Sequence, residues 1–369
     1  MKLIDYMIIG AGPSGLTAAI KIKEKYPSMS VCIVDKNKTI ARKIKASGNG
    51  RCNIGSKDIT KQSLNDLNYQ KEVFNENNYN YFISFLKNDL NIELSYEDNS
   101  IYPYSKMSQS VVNAYADKIK DLDIKIIFDD IISFKNETNF ISVQSHDNNY
   151  LVKKLILSAG GKSYYKDYNN DKGIIKTLKT LNVKFKDFIP GLTGYILKED
   201  VNSLFGVRLE CSVQLVIDDK IIFSEDGEVN FKKDGIGGIV IMNSSNLYQS
   251  LENKKNVKLL IKPFKNDNIT NIKNNMNDKL YDYLLSKNKV VNKNNSSSIC
   301  FVVDNVYGFD YAQVSIGGVL LSEINHSTYN LLKYENIYVL GELLDVCGVC
   351  GGYNIMHSII SALLLAKNI

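Results

Sequence analysis

Gly10-Ala11-Gly12-Pro13-Ser14-Gly15 follows the short apolar run Tyr6–Ile9 and opens a helical pattern running from about Ser14 to Lys25. A second apolar run, Val31–Val34, closes on Asp35. Strand, glycine-rich turn, helix and strand make one βαβ unit of about thirty residues. In a G-x-G-x-x-G turn the first glycine makes the tight bend, the second lets the backbone approach a pyrophosphate, and the third lets helix and strand pack closely. The helix start then offers unpaired N–H groups and a partial positive charge to phosphates. Asp35 stands where a carboxylate can bind a ribose 2′-hydroxyl and disfavour a 2′-phosphate. Glycine-rich turns are common, but here the strand, the helix and the acid are all in place, which selects dinucleotide binding over a purely structural turn.

The chain around this unit has 369 residues, enough for two or three domains and a large core. Hydrophobic residues make up 44% and charged residues 23%, which excludes a disordered or collagen-like protein. A net charge of +5, dispersed over the whole length, is too mild for a nucleic-acid footprint, so no nucleic-acid partner is expected. Three scattered histidines, His146, His326 and His357, argue against a metal site. Six cysteines are too few for a disulfide scaffold of this size and point to a reducing compartment. No run reaches the ~18 apolar residues of a membrane span. Asp5 and the glycine turn break the signal-peptide pattern. A cytoplasmic protein without a membrane partner is expected; the oligomeric state is not legible.

Residues 36–56 are basic and glycine-punctuated and read as a loop. Residues 61–92 read as helical, and Ser105 caps a helix expected from Lys106 to about Lys120. Strand-like runs follow at Ile124–Phe128, Phe140–Gln144 and Leu151–Leu157. Between Pro190 and Gln313 the runs YILK, CSVQLVID, KIIFS and IGGIVIM read as strands, before an Asn/Lys-rich stretch from Asn246 to Ser298. The core of that stretch, Asn271–Ser286, has helical spacing at Ile272, Met276, Leu280 and Leu284. The expected organisation is an FAD-binding domain over 1–189 and 314–369, a β-rich insert over 190–245 and 299–313, and a helical insert over 246–298.

Within the turn, Gly-Pro-Ser-Gly leans toward FAD over a nicotinamide dinucleotide. Leu155–Leu157 runs into Ser158-Ala159-Gly160-Gly161, and Ile337–Leu340 runs into Gly341-Glu342. The second of these returning strand ends, with its acid, suits a ribityl chain and phosphate. Gly351-Gly352-Tyr353-Asn354 opens the last helix, where bare N–H groups suit the negative charge of a reduced flavin. The rival reading is a plain glycine boundary of a core helix.

Arg42-Lys43, Ser47-Gly48-Asn49-Gly50-Arg51-Cys52-Asn53, Ala159-Gly160-Gly161-Lys162-Ser163-Tyr164, Gly341-Glu342-Leu343-Leu344-Asp345 and Gly351-Gly352-Tyr353-Asn354 resemble the BaiN/YhiN-type flavoproteins. These are NAD(P)/FAD-dependent oxidoreductases, also called aminoacetone-oxidase-family FAD-binding enzymes. The resemblance extends through Tyr102-Pro103, Ser105-Lys106, Gly227-Glu228, Gly235-Ile236-Gly237-Gly238 and Gly317-Gly318-Val319, hence through most of the chain. It implies an α/β fold: a Rossmann-like (glutathione-reductase-like) FAD-binding domain interrupted by a β-barrel-like domain with a small helical insert. It also implies that Gly10, Gly12 and Gly15 hold the pyrophosphate, Asp35 the adenosine ribose, and Ile131 the adenine through its backbone, with Pro13, Ser14 and Lys36 among the cofactor-binding residues. By the same resemblance Arg42, Lys43, Gly50, Arg51 and Cys52 lie along the flavin, and Ala159-Gly160-Gly161 are among the cofactor-binding residues. Gly341, Glu342 and Asp345 hold the ribityl side, and Gly352, Tyr353 and Asn354 the pyrimidine edge. Where the family commonly has Asp-Gly and later Gln-Trp, this chain has Val346-Cys347-Gly348 and Met356-His357, so the substrate-facing wall differs.

Cys52, Arg51 and His357 are the catalytic candidates. Cys52 sits in a basic loop where a thiol pKa can fall, although packing against the cofactor is the plainer role. Arg51, Lys43 and Lys162 suit an anionic substrate or phosphate, or are solvated charges. His357 is the histidine placed to reach the flavin, while His146 and His326 read as surface residues. Cys347-Gly348-Val349-Cys350 precedes its helix instead of starting it, so a turn outweighs a redox dithiol. The expected function is hydride transfer at flavin N5, with NAD(P)H a transient donor and a small enone or carbonyl compound the substrate. Rival readings are an FAD-dependent amine oxidase producing H2O2 and a non-catalytic flavin scaffold or redox sensor.

Overall fold

Leu3–Ile9 (β1) and Val31–Asp35 (β2) each contain an apolar run, Tyr6–Ile9 and Val31–Val34, that is buried on both faces, as central parallel strands require. The structure, a computed structural model, describes residues 3–163, 173–252, 254, 256–263, 274, 276–287 and 299–369. The chain divides into two units: Met1–Gly161 with Asp167–Phe188 and Ile316–Ile369, and Ile189–Ser315 with Lys162–Lys166.

In the first unit β1 pairs in parallel with β2 on one side and with Asn149–Leu157 on the other. Tyr334–Val339 adds beyond Asn149–Leu157, and Lys125–Phe128 beyond β2, both also parallel. The register sets Ile9 opposite both Val34 and Leu157, and Leu157 opposite Val339. Three separate chain segments therefore leave the sheet at one carboxyl edge, where open α/β sheets bind their ligands. Pro13–Lys25 (α1) follows β1, and the helix Tyr353–Asn368 lies against it. That last helix is apolar almost all round, with Met356, Ile359, Ile360 and Leu363 buried.

The expected loop over 36–56 contains a short helix, Arg42–Ala46, and a tight turn at Ser47–Gly50. The helix expected from Lys106 runs over Ser108–Asp121, and Met107 caps it without a side-chain bond. The strand Ile131–Asn136, unexpected from its sequence, forms a hairpin with Ile141–Ser145 on the edge of the sheet. The 61–92 region resolves into Leu67–Val73, Glu76–Ser84 and a π-helical turn at Phe85–Asp89.

The second unit is a closed six-stranded barrel in the order Tyr195–Leu197, Gly235–Gly237, Lys220–Phe231, Arg208–Ile217, Lys258–Lys262, Ile299–Val306. Its core is formed by residues such as Cys211, Val213, Leu215, Phe231, Leu259, Ile261 and Phe301. Two expectations need correction. The run IGGIVIM is strand only over Gly235–Gly237; Ile239–Ser250 is a helix, because Gly238 at φ +119 turns the chain out of the sheet. The supposed helical insert over 246–298 contains a full barrel strand, Lys258–Lys262, hydrogen-bonded on both sides. Asp278–Ser286 is helical as its spacing suggests, while Ile272 and Tyr164 lie outside the described residues. No helix among the described residues is long and apolar enough to cross a membrane.

Candidate functional site: a glycine cradle at the carboxyl edge of the sheet

Gly10 leaves β1 at φ +110, and its N–H donates to the Val34 carbonyl at 2.8 Å. A β-carbon there would enter the Ser158 carbonyl, and one at Gly15 would enter the Gly10 carbonyl. These two glycines are therefore needed for close packing of strand, turn and helix. Gly12 differs: a β-carbon there would meet no protein atom within 4 Å. It also caps α1, which has Pro13 in its first turn, no side-chain cap and no acidic residue near its start. The half-buried but approachable backbone of Gly12 and the uncapped helix start form a cradle suited to an anionic group.

Asp35 organises the mouth of this cradle. Its Oδ2 accepts the Ala11 N–H at 2.7 Å, and its Oδ1 accepts the backbone N–H and Nδ2 of Asn37 at 2.7 and 2.8 Å. Arg42 in turn donates to Asn37 Oδ1. Sequence reasoning missed Asn37, although an Asn two residues after a strand-end acid is a recognisable turn former. Lys36 beside it is exposed. Ala41, at φ +53, donates its N–H to the Ala11 carbonyl at 2.8 Å and so brings Arg42 and Lys43 to the turn.

The other two strand ends complete the cradle. Ser158 Oγ donates toward the Ile9 and Gly10 carbonyls at 2.9 and 3.1 Å. Ala159 is exposed, Gly160 half-buried and Gly161 buried. Lys43 pairs with Glu342, and both charged ends lie 3.9 Å from where a β-carbon of Gly160 would stand. Gly341 faces Ser14, whose Oγ is 2.6 Å from a β-carbon built on that glycine. The structure thus brings together Gly10, Gly12, Pro13, Ser14, Gly15, Lys43, Gly160, Gly341 and Glu342.

Other expected residues are tied elsewhere. Gly352 caps the last helix, which has no acid in its first turn and no side-chain cap. Tyr353, behind it, accepts from Ser56 at 3.1 Å and donates to the Asp58 carbonyl at 2.9 Å. The Asn354 carboxamide binds both the N–H and the carbonyl of Gly348, at 2.8 and 3.0 Å, and so shapes the preceding loop. Asp345 accepts the Gly317 N–H at 3.1 Å and lies 3.8 Å from Lys186. Ile131 is buried, with its carbonyl against Gly173. Gly50 is exposed. In the second unit the Lys162 N–H donates to Ser315 Oγ at 2.7 Å.

The three catalytic candidates fare poorly. Arg51 is half exposed; it grips Glu97 at 2.6 and 2.7 Å and stacks on Tyr102 at 4.8 Å. Cys52 is wholly buried, and burial pushes its thiol up to about 11, the opposite of activation. His357 is buried in the core with Nε2 3.0 Å from the Tyr69 hydroxyl, and burial lowers its pKa to about 3. His326 is half-buried and bonds to Glu72 at 2.7 Å, so of the two supposed surface histidines only His146 is exposed.

The family model described as HI0933-like protein Rossmann domain matches residues 4–368. The chain is 23% identical to a 3-dehydro-bile acid delta(4,6)-reductase of Clostridium scindens, over 94% of each chain. It is 22% identical to a ribosomal RNA dihydrouridine synthase of Haemophilus influenzae, over 99% of this chain and 98% of that one. Its fold is similar to that of 3-ketosteroid delta1-dehydrogenase from Sterolibacterium denitrificans, with a TM-score of 0.54, 8% identity and all of both chains covered. A match along nearly the whole chain, on a sheet whose three strand ends meet in a glycine-rich cradle, places this protein in the HI0933-like Rossmann family of FAD-dependent oxidoreductases.

Proposed function

We propose that the protein is an FAD-dependent reductase of a small organic substrate whose carbon–carbon double bond is conjugated to a carbonyl, with NAD(P)H as the transient donor. The observation that carries this reading is the cradle: an approachable Gly12, an uncapped α1 start, and Gly341 and Glu342 closing from the far end of the chain. The FAD fits these residues. Gly12, Ser14 and Gly15 would hold the pyrophosphate through backbone N–H groups, Asp35 the adenosine ribose, and the start of the last helix the pyrimidine edge. When bound, FAD supplies two-electron hydride chemistry. The chain itself orients, through the Lys43–Glu342 pair, and presents helix-start amides where negative charge develops. The substrate class rests on the relatives' names: a bile-acid delta(4,6)-reductase and a dihydrouridine synthase both describe saturation of a double bond conjugated to a carbonyl.

The test is anaerobic stopped-flow absorbance of the purified yellow protein with NADH and NADPH separately, followed by a conjugated steroid enone. Bleaching by one nucleotide and reoxidation by the enone is the expected result. Bleaching by an amine with H2O2 on readmission of air would favour an oxidase instead. Reoxidation by uridine-containing ribosomal RNA, with none by the enone, would overturn the small-molecule assignment.

A further inference from the structure

The net charge of +5 is concentrated, and not dispersed as expected. Residues 36–61 hold eight lysines and arginines and one acid, Asp58, a net +7, which leaves the rest of the chain at −2. Lys36, Lys38, Arg42, Lys45, Arg51 and Lys57 are all exposed. Among the described residues Lys38, Lys45, Lys57 and Lys61 form no ion pair, and the carboxylate of Glu97 is shared by Arg51 and Lys106. The segment rims the cradle: the Ala41 N–H donates to the Ala11 carbonyl, and Lys43 reaches Glu342 beside Gly160. Its far end is tied by the Lys57 N–H to the Asn99 carbonyl at 2.8 Å, between Leu94–Glu97 and Ser100–Pro103. There the ring of Tyr96 is exposed under the Lys57 ammonium, at 5.7 Å, and Tyr104 is 75% exposed.

Like charges gathered without matching acids raise the potential of a surface, which then attracts a polyanion and loses that attraction in salt. The exposed rings suit a nucleotide better than a bare polyphosphate, since bases stack on aromatic side chains. The reaction proposed above needs one such partner besides FAD: its reduced nicotinamide donor carries a pyrophosphate, and the chain has a single G-x-G-x-x-G turn, which FAD takes. We propose that the basic surface over residues 36–61 docks the hydride donor, and that it favours NADPH, whose 2′-phosphate adds negative charge, over NADH. This rests on the NAD(P)H-linked FAD reading and adds to it the place and the choice of the donor.

The experiment titrates the FAD-loaded protein with NADP+ and with NAD+ by calorimetry at low and at high salt, then follows anaerobic bleaching by NADPH and NADH under the same conditions. At low salt NADP+ is expected to bind about tenfold more tightly than NAD+, and at about 0.5 M salt the two should come within about twofold. Bleaching by NADPH should slow with salt more steeply than bleaching by NADH. Lys38→Gln, Lys45→Gln and Lys57→Gln together are expected to slow bleaching by subsaturating NADPH about tenfold at low salt, with the FAD content of the wild type. The wild type alone also decides the matter, whatever the variant does. Equal affinities for NADP+ and NAD+ at low salt, or affinities indifferent to salt, overturn the assignment and leave FAD binding intact. A ribosomal RNA fragment that loses affinity in the triple variant, while NADP+ does not, overturns it in favour of a nucleic-acid partner. FAD-loaded protein that neither nucleotide bleaches overturns the NAD(P)H reading, and apoprotein that takes up no FAD overturns the FAD reading itself.

Discussion

His357 sits in the first turns of the last helix, yet its imidazole is sealed in the core against Tyr69, which also bonds the Tyr329 hydroxyl at 2.9 Å. Burial holds it neutral, with a pKa of about 3 against an ordinary 6.5. Below pH 6.5 the unfolded chain binds a proton there that the folded chain does not. The stability this group contributes is therefore complete above about 6.5 and is lost as pH falls toward 3. Between about pH 7.5 and about pH 5 the loss from this residue is about 2 kcal/mol. Urea unfolding should show that the wild type loses about that much more than His357→Gln over the interval; equal losses would remove the argument. The residue scale is also where reading from sequence was weakest. Arg51, Cys52 and His357 drew notice because of their chemistry, but chemistry depends on exposure and neighbours, and no local pattern reports those. Asn53, a plainer residue in the same motif as Arg51 and Cys52, has a buried oxygen to which no described residue donates. Nothing in its side chain marks it before the chain is folded.

At the scale of elements, the β1–α1–β2 unit was legible because each boundary has a local cause: an apolar run, a turn that only glycine can make, and an acid at the strand end. The barrel was less so. Lys258–Lys262 has apolar side chains only at Leu259, Leu260 and Ile261 and is set in Asn- and Lys-rich surroundings, so its strand character comes from the two neighbours that pair with it. Ile239–Ser250 is the reverse case: β-branched residues at its start suggest a strand, and packing on the barrel overrides them. Between elements, the Lys43–Glu342 pair joins the short helix Arg42–Ala46 to the turn after Tyr334–Val339, with side-chain exposures of 28% and 14%. Such partly shielded pairs exceed the near-zero value of most surface ion pairs. Lys43→Met and Glu342→Gln in the apoprotein should each cost about 1 kcal/mol, and the double variant should recover about 0.5 kcal/mol or more of coupling. Strict additivity in urea unfolding would mean that the pair does not join the two elements energetically.

At the scale of the whole chain, the first unit is closed by segments more than three hundred positions apart in sequence: Gly341 rests on Ser14, and the Lys25 ammonium caps the final carbonyls at Ala366, Lys367 and Ile369. The resemblance of scattered motifs made this convergence legible in advance, whereas composition and periodicity carry no information about it. A ligand that both ends hold must stabilise both together. Binding contributes RT ln(1 + [L]/Kd), about 2.7 kcal/mol at a hundredfold excess of FAD over its Kd. Hydrogen exchange should therefore slow in the amides around Gly12–Leu16 and those around Tyr353–Met356 together, when apoprotein is titrated with FAD, and by the same free energy at each end. Independent opening of the two ends would give two different increments. Protection of the first turn without the last helix would mean that the cofactor is held by the opening βαβ unit alone, and that the returning segment serves the core and not the site.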